Sequence, residues 1–259
     1  MKKIYIHTDL EGISGIGRGE MVMVDSPDTR YCIERLMTDT NAAIDGAFAG
    51  GADHVTVLDM HRGGGNFDLS LLDKRAEFDT TPNNKWWGIL DESYFGSFFI
   101  GAHAMAGTIN GFLDHTQSSQ WIYNYYVNGR KTGELGQWAM VCAHYGVPML
   151  MVSGDRAAVL EASQFFSGIE TAEVKAGISR TEARLLPNEE AEEKIRQAAK
   201  QAVEKDWRPS LFTPLLPMEI KFELTRSDYC DALVPHPGIE RIDARTVRKT
   251  SNSYLDYWV

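Results

Sequence analysis

The chain has 259 residues, 43% of them hydrophobic, with a net charge of -10 and an isoelectric point near 5.2. That length suits one large or two modest domains around a substantial core, and the acidity argues against a nucleic-acid partner. No window approaches the roughly 18 uninterrupted apolar residues of a membrane span, and Met1-Lys2-Lys3 leads into only a short apolar run rather than a signal h-region, so a cytoplasmic location without membrane attachment is expected.

Lys3 to His7 reads as a first β-strand of β-branched and aromatic residues, followed by Thr8-Asp9-Leu10-Glu11-Gly12. Asp9 and Glu11 then sit at the carboxyl end of that strand, where an open α/β sheet binds its ligands. At strand spacing they point the same way about 7 Å apart, and burying both demands a cation. The glycines of Gly12-Ile13-Ser14-Gly15-Ile16-Gly17 are spaced like a loose phosphate loop but lack the GK[ST] ending. Ser26-Pro27 predicts an N-cap and first helical residue, opening a helix to about Ala49 with Ile33, Leu36, Met37, Ile44, Ala47 and Phe48 toward the core.

His54 to Asp59 is a second strand, completing a strand, helix, strand unit of the kind that builds a parallel sheet, and Met60-His61 follows its end. From Leu69 to about Tyr94 the pattern is irregular and contains Pro82 and Trp86-Trp87. Ser97 to Gly101 is a third strand, ending in Ala102-His103-Ala104-Met105-Ala106-Gly107-Thr108. His115 lies on the next loop. Ile122 to Val127 enters an Asn128-Gly129 hairpin turn, and a helix from about Glu134 to His144 carries Leu135, Trp138, Ala139 and Cys142 on its apolar side. Val147 to Val152 is a buried strand leading to Asp155, and Asp155 to Phe166 is helical.

Thr171 to Lys175 reads as a short strand, and Asn188 to about Lys205 as a charged helix with Ala191, Ile195, Ala198 and Ala202 in one stripe. Met218 to Leu224 alternates as a half-exposed strand. The fold class expected is therefore α/β: a mostly parallel or mixed sheet flanked by helices over residues 1-165, with a smaller α+β unit over 166-259. Cys32, Cys142 and Cys230 are scattered and form no CxxC pair, which reads as reduced, buried thiols.

In a parallel sheet the carboxyl ends of the strands share one edge, which gathers Asp9, Glu11, His61 and His103 with Glu134 at a helix start. Three carboxylates and two imidazoles suit zinc and, less selectively, manganese or cobalt. Five protein ligands exceed the three of a typical catalytic zinc, so two ions fit better, with Asp9 bridging them, Glu11 and Glu134 completing one and His61 and His103 the other. His115 is placed to take or give a proton near neutral pH, and Gly107 and Thr108 offer donors to a developing oxyanion or substrate. His54, His144, His236 and His7 receive structural roles, His7 being the nearest to Asp9.

The segments TDLEGISG, LDMH, GAHA, the His115 loop, GRKTGELGQ and GVPMLMVSGD together resemble the D-aminopeptidases typified by the dipeptide-transport-operon protein of bacilli, in order from about Met1 to Ala158. The resemblance implies a two-zinc, self-compartmentalising aminopeptidase that removes an amino-terminal residue, often a D-amino acid, from short peptides, and a ring-shaped homodecamer. It implies Asp9, Glu11, His61, His103 and Glu134 as metal ligands and His115 as catalytic residue, described in that family as a nucleophile. The residues themselves leave open attack by His115 or acid/base assistance to activated water. Two other readings stand beside it: another two-metal amidase or phosphoesterase, against which the basic residues Arg62, Arg130, Lys131 and Arg156 form no obvious phosphate clamp, and a non-catalytic metal- or nucleotide-binding module.

Overall fold

A computed structural model of the protein describes residues 1–80 and 86–257; Pro82 lies outside the described residues. The strands among them are β1 Lys3–Thr8, β2 His54–Asp59, β3 Glu77–Phe78, β4 Gly96–Ala102, β5 Ile122–Val127, β6 Arg130–Lys131, β7 Met149–Asp155, β8 Glu170–Gly177, β9 Ala183–Leu185, β10 Met218–Leu224, β11 Glu240–Arg241 and β12 Thr246–Ser251. The α-helices are α1 Thr29–Ala49, α2 Glu134–His144, α3 Arg156–Phe165, α4 Asn188–Glu204 and α5 Ser227–Leu233.

Seven strands form one sheet in the order β3-β2-β1-β4-β7-β8-β9, parallel except for the antiparallel edge strand β9. This is the α/β sheet expected. The side chains of β1 divide between its faces. Ile4 and Ile6 pack with Leu36, Ile44 and the Ala191, Ile195, Ala198 stripe of α4 on one side, while Tyr5 packs with Phe99 and Trp138 of α2 on the other. Period-two alternation between two apolar layers is why the strand reads as an unbroken apolar run.

A second, antiparallel sheet has the order β11-β12-β10-β5-β6. Its hairpin between β5 and β6 turns at Asn128 and Gly129, with φ of 49° and 78°, the left-handed pair that an Asn-Gly turn supplies. The alternation of β10 is met by buried Met218, Ile220, Phe222 and Leu224. Sheet membership crosses residue 165: β8 and β9 extend the large sheet, whereas β5 and β6 belong to the small one. One helix boundary differs from expectation. The Ser26 Oγ accepts the Asp28 amide at 3.2 Å and the Ser26 carbonyl accepts the Thr29 amide, so a separate turn precedes α1 and Pro27 stands outside it.

The chain builds β1, β2 and β3 outward in one direction and then returns to place β4 on the other side of β1. The reversal between β1 and β4 opens a crevice at their carboxyl ends, the place where open α/β sheets bind ligands. The segment after β1 is closed onto β4 there, by Asp9 N–H to the Ile100 carbonyl at 2.9 Å and Gly12 N–H to the Gly101 carbonyl at 2.8 Å. Such closeness requires glycine: a Cβ on Gly12 would stand 2.0 Å from the Ala102 carbonyl oxygen.

Candidate metal centre

Asp9 and Glu11 emerge from the end of β1, with Asp9 at the reversal point; both carboxylates are buried. β2 lies on one side of β1 and delivers His61, whose Nδ1 stands 3.0 Å from Asp9 Oδ1 and 2.9 Å from Glu11 Oε2. β4 lies on the other side and delivers His103, whose Nε2 stands 3.3 Å from Asp9 Oδ2 and 3.4 Å from Glu134 Oε1. Glu134 opens α2, and its Oε1 also lies 3.7 Å from His115 Nε2. Two groups result, one of Asp9, Glu11 and His61 and one of His103, His115 and Glu134, joined by the two oxygens of Asp9.

All six expected residues therefore meet at one edge, but their partition differs from the expected one. Each group takes one of the two strand-end imidazoles, because the strands that carry His61 and His103 flank β1 on opposite sides. Neither group includes His54, His144 or His236: His54 Nε2 pairs with Thr56 and Glu77, and His144 and His236 are exposed. His7 is buried against the Phe99 and Trp138 rings, and among the described residues neither of its ring nitrogens has a hydrogen-bond partner.

For His103 and His115 the tautomer follows from the second ring nitrogen. His103 Nδ1 donates to the Ala104 carbonyl at 3.0 Å, which leaves Nε2 to face the two carboxylate oxygens. That Nε2 is buried and has no hydrogen-bond partner among the described residues. A lone pair there would be repelled by the carboxylate oxygens unless a proton or a metal ion lies between them. Two ligand atoms each about 2.1 Å from a tetrahedral ion are about 3.4 Å apart, and about 3.0 Å apart at the 90° angles of a higher-coordinate ion. The separations around His103 match the first and those around His61 the second. The donor set and its spacing fit a pair of divalent ions.

The charges of the metal-free cluster lean the same way. Burial opposes ionisation of Asp9, but His103 and His61 outweigh it and hold the carboxyl well below its usual range. Burial likewise opposes a charged His61, yet Glu11 and Asp9 raise it to about 10. His103 is raised against its burial by Glu134 and Asp9. Three carboxylates thus keep positive charge between them, the place a metal ion takes over. His7, with burial as the main cause and only partial opposition from Asp9 and Glu134, is lowered to about 4 and stays neutral.

His115 sits on a loop that holds Asn110, Leu113 and Gln117 in the left-handed region, with φ of 56°, 52° and 63°. Such backbone persists where surrounding contacts over-determine it, often at functional sites. Here those contacts serve the cluster: the His115 amide donates to the Ala104 carbonyl at 3.3 Å, and the Gln117 amide donates to Glu134 Oε1 at 2.7 Å. His115 Nδ1 donates to the Leu113 carbonyl at 2.8 Å, so Nε2 carries the lone pair, and the ring stacks on His103 with centroids 4.0 Å apart. Side chains of His115 and Glu134 are 18% and 20% exposed while those of Asp9 and His103 are 8% and 1%, so the cluster opens to solvent on the His115 side.

Gly107 and Thr108 lie on the same rim with their donors engaged. The Gly107 amide donates to Asp114 Oδ2 at 2.6 Å and the Thr108 hydroxyl to the Met105 carbonyl at 2.6 Å. Several supporting residues escaped sequence reasoning. Glu161, buried on α3, accepts the Met105 amide at 2.8 Å; burial pushes its carboxyl up to about 7. Asp59 accepts the Asn66 and Phe67 amides and shapes the turn after His61. Their only sequence signal is a charged residue inside an otherwise apolar stretch.

An α/β sheet whose carboxyl edge gathers carboxylates and imidazoles around a shared aspartate defines the class of metal-centred hydrolases. The model of the peptidase M55 family, D-aminopeptidases, matches residues 1–259, and the chain belongs to that family. It is 36% identical to a D-aminopeptidase of Bacillus subtilis (strain 168) over 189 residues, covering 71% of this chain and 67% of that protein. In structure it is similar to the zinc-dependent D-aminopeptidase DppA from Bacillus subtilis, a self-compartmentalizing protease, with a TM-score of 0.93 and 28% identity over 98% of this chain and 93% of that one.

Proposed function

We propose that this chain is a zinc-dependent aminopeptidase that hydrolyses the amino-terminal peptide bond of short peptides, D-residues included. The observation that carries the reading is the division of Asp9, with Oδ1 turned to His61 and Oδ2 to His103. Asp9, Glu11 and His61 would hold one ion and Asp9, His103 and Glu134 a second. Manganese or cobalt fits the same donors. When bound, the ions supply Lewis acidity and activate water for attack on the peptide carbonyl.

The catalytic residue of this proposal is His115. With Nδ1 fixed on the Leu113 carbonyl, its Nε2 takes a proton at the open side of the cluster and returns it to the leaving amine. Gly107 and Thr108 contribute to substrate binding as the shape of the rim, since their donors are engaged within the loop. A ring-shaped homodecamer is the assembly we infer, supported by the likeness in fold to a self-compartmentalizing protease. A cytoplasmic location is supported by three buried free cysteines; no helix among the described residues is long and apolar enough to cross a membrane.

Metal analysis of the purified protein, combined with turnover of a panel of D- and L-aminoacyl amides, tests the reading. Two divalent ions per chain are expected, lost on Asp9→Ala, with D-aminoacyl amide hydrolysis lost on His115→Ala while metal is kept. A protein that holds no divalent metal and whose folding is indifferent to chelator would overturn it.

A further inference from the structure

The segment from Gly12 to Gly17 has the glycine spacing of a phosphate loop, yet its first three amides are already used. Gly12 N–H goes to the Gly101 carbonyl, Ile13 N–H to the Leu10 carbonyl and Ser14 N–H to the Asp39 carboxylate at 2.8 Å. The carbonyls turn inward instead. Those of Glu11, Ile13 and Ile16 converge on Lys175 Nζ at 2.5, 2.8 and 2.8 Å. A phosphate cradle presents N–H groups to an anion; this loop presents carbonyl oxygens to a cation.

Lys175 belongs to β8, separated from β1 by the two strands β4 and β7, and the residue is 1% exposed. Its Nζ also lies 4.5 Å from the centre of the Phe112 ring, on the loop that carries His115. That residue is fixed in turn, its amide donating to Asp155 Oδ2 at 3.0 Å. One ammonium therefore touches both the loop that presents Glu11 and the loop that presents His115. Burial lowers its pKa, to about 7, while the Asp155, Asp39 and Glu11 carboxylates oppose that change. Three carbonyl acceptors need three N–H donors, which only the ammonium form provides.

We propose that Lys175 is a positioning residue of the metal centre: by binding the Glu11, Ile13 and Ile16 carbonyls it holds the Glu11 carboxylate against His61, and so governs occupancy of that ion site more than of the His103 site. The proposal rests on the two-ion reading above. Residues that orient metal ligands from outside the coordination sphere typically change metal affinity 10–100-fold when lost. The ligands around His103 have their own supports, in the Gln117 amide on Glu134 and the Ala104 carbonyl on His103.

Titration of metal-free full-length protein with Co²⁺, followed by its visible absorption, reads the two sites as two binding steps. In Lys175→Met one step is expected to weaken about 10–100-fold and the other to stay within about twofold. Peptidase turnover lost at limiting Co²⁺ should return at excess Co²⁺ with unchanged KM, a rescue that a general packing defect does not give. Lys175→Gln keeps two N–H donors without a buried charge and is expected to lie between wild type and Lys175→Met; it decides the matter if the methionine variant does not fold. Two steps that weaken together, or two steps that both stay unchanged in a folded variant, would overturn the role of Lys175. Wild-type protein that takes up no Co²⁺ would instead overturn the two-ion reading itself.

Discussion

Replacing Asp9 by asparagine keeps the shape of the side chain and removes only its charge, so its effects on metal binding and on folding both report that charge. The amide oxygen can still accept the Leu10 amide, now 2.8 Å from Oδ1. The neutral amide would face His103 Nε2, 3.3 Å from Oδ2, in place of the carboxylate that keeps that imidazole charged. The chelated variant should therefore be less stable than chelated wild type, by about 3 kcal/mol, because the buried His61 and His103 charges lose their shared partner. Metal binding should fall as well. A unit charge pair at about 4 Å is worth about 4 kcal/mol at an effective dielectric near 20, and each divalent ion doubles it. Even if most of this is offset by relaxation and the retained amide oxygen, about 3 kcal/mol should be lost per ion, roughly 100-fold in affinity. Urea unfolding of chelated proteins and competition for Zn²⁺ against a chelator of known affinity measure the two effects. An Asp9→Asn protein that retains both ions at wild-type affinity would refute the assignment of Asp9 as the shared ligand.

Other outcomes follow from the same geometry. His7, lowered to about 4 by burial, binds a proton in the unfolded chain near its ordinary pKa of about 6.5, so acid favours unfolding and its contribution is lost as pH falls between those values. From pH 7.5 to 5 this should cost about 2 kcal/mol, and His7→Leu should remove that part of the pH dependence in urea melts; an unchanged slope would show that His7 does not stay neutral. Gly12→Ala places a methyl 2.0 Å from the Ala102 carbonyl oxygen, against backbone that cannot swing aside. A loss of about 1–3 kcal/mol is expected, together with weaker metal binding, since the same displacement moves Glu11; a variant with wild-type melting would contradict the closeness of the loop to β4. Gln117→Pro deletes the amide that holds Glu134 Oε1 at 2.7 Å and cannot adopt the left-handed φ of 63°. It should weaken binding of the ion near His103 while sparing the Glu11 step in the Co²⁺ titration, and an equal effect on both would refute a local role for that amide.

Much of the architecture was legible in the residues because it rests on local periodicity. The runs at β1, β2, β4, β7 and β10, the Asn128-Gly129 turn and the α2 and α4 stripes stand where alternation and 3.6-residue spacing put them. The short strands β9, β11 and β12 went unseen, being two to six residues long and held by partners rather than by pattern. Ser26-Pro27 carried a helix-start signature that a preceding turn used first.

Local residue pattern is enough to place acids and imidazoles at the ends of successive strands, because parallel strands joined by helices bring their carboxyl ends to one edge. Which of them meet depends on strand order. The order β2-β1-β4 sets His61 and His103 on opposite sides of Asp9 and so gives each candidate ion one strand-end imidazole. Tertiary structure also decides what holds them: Lys175 reaches the Glu11 carbonyl across 164 residues, and the Gln117 amide reaches Glu134 across 17. Periodicity reports which face of an element is buried, but partners brought together by strand order leave no mark in the local pattern.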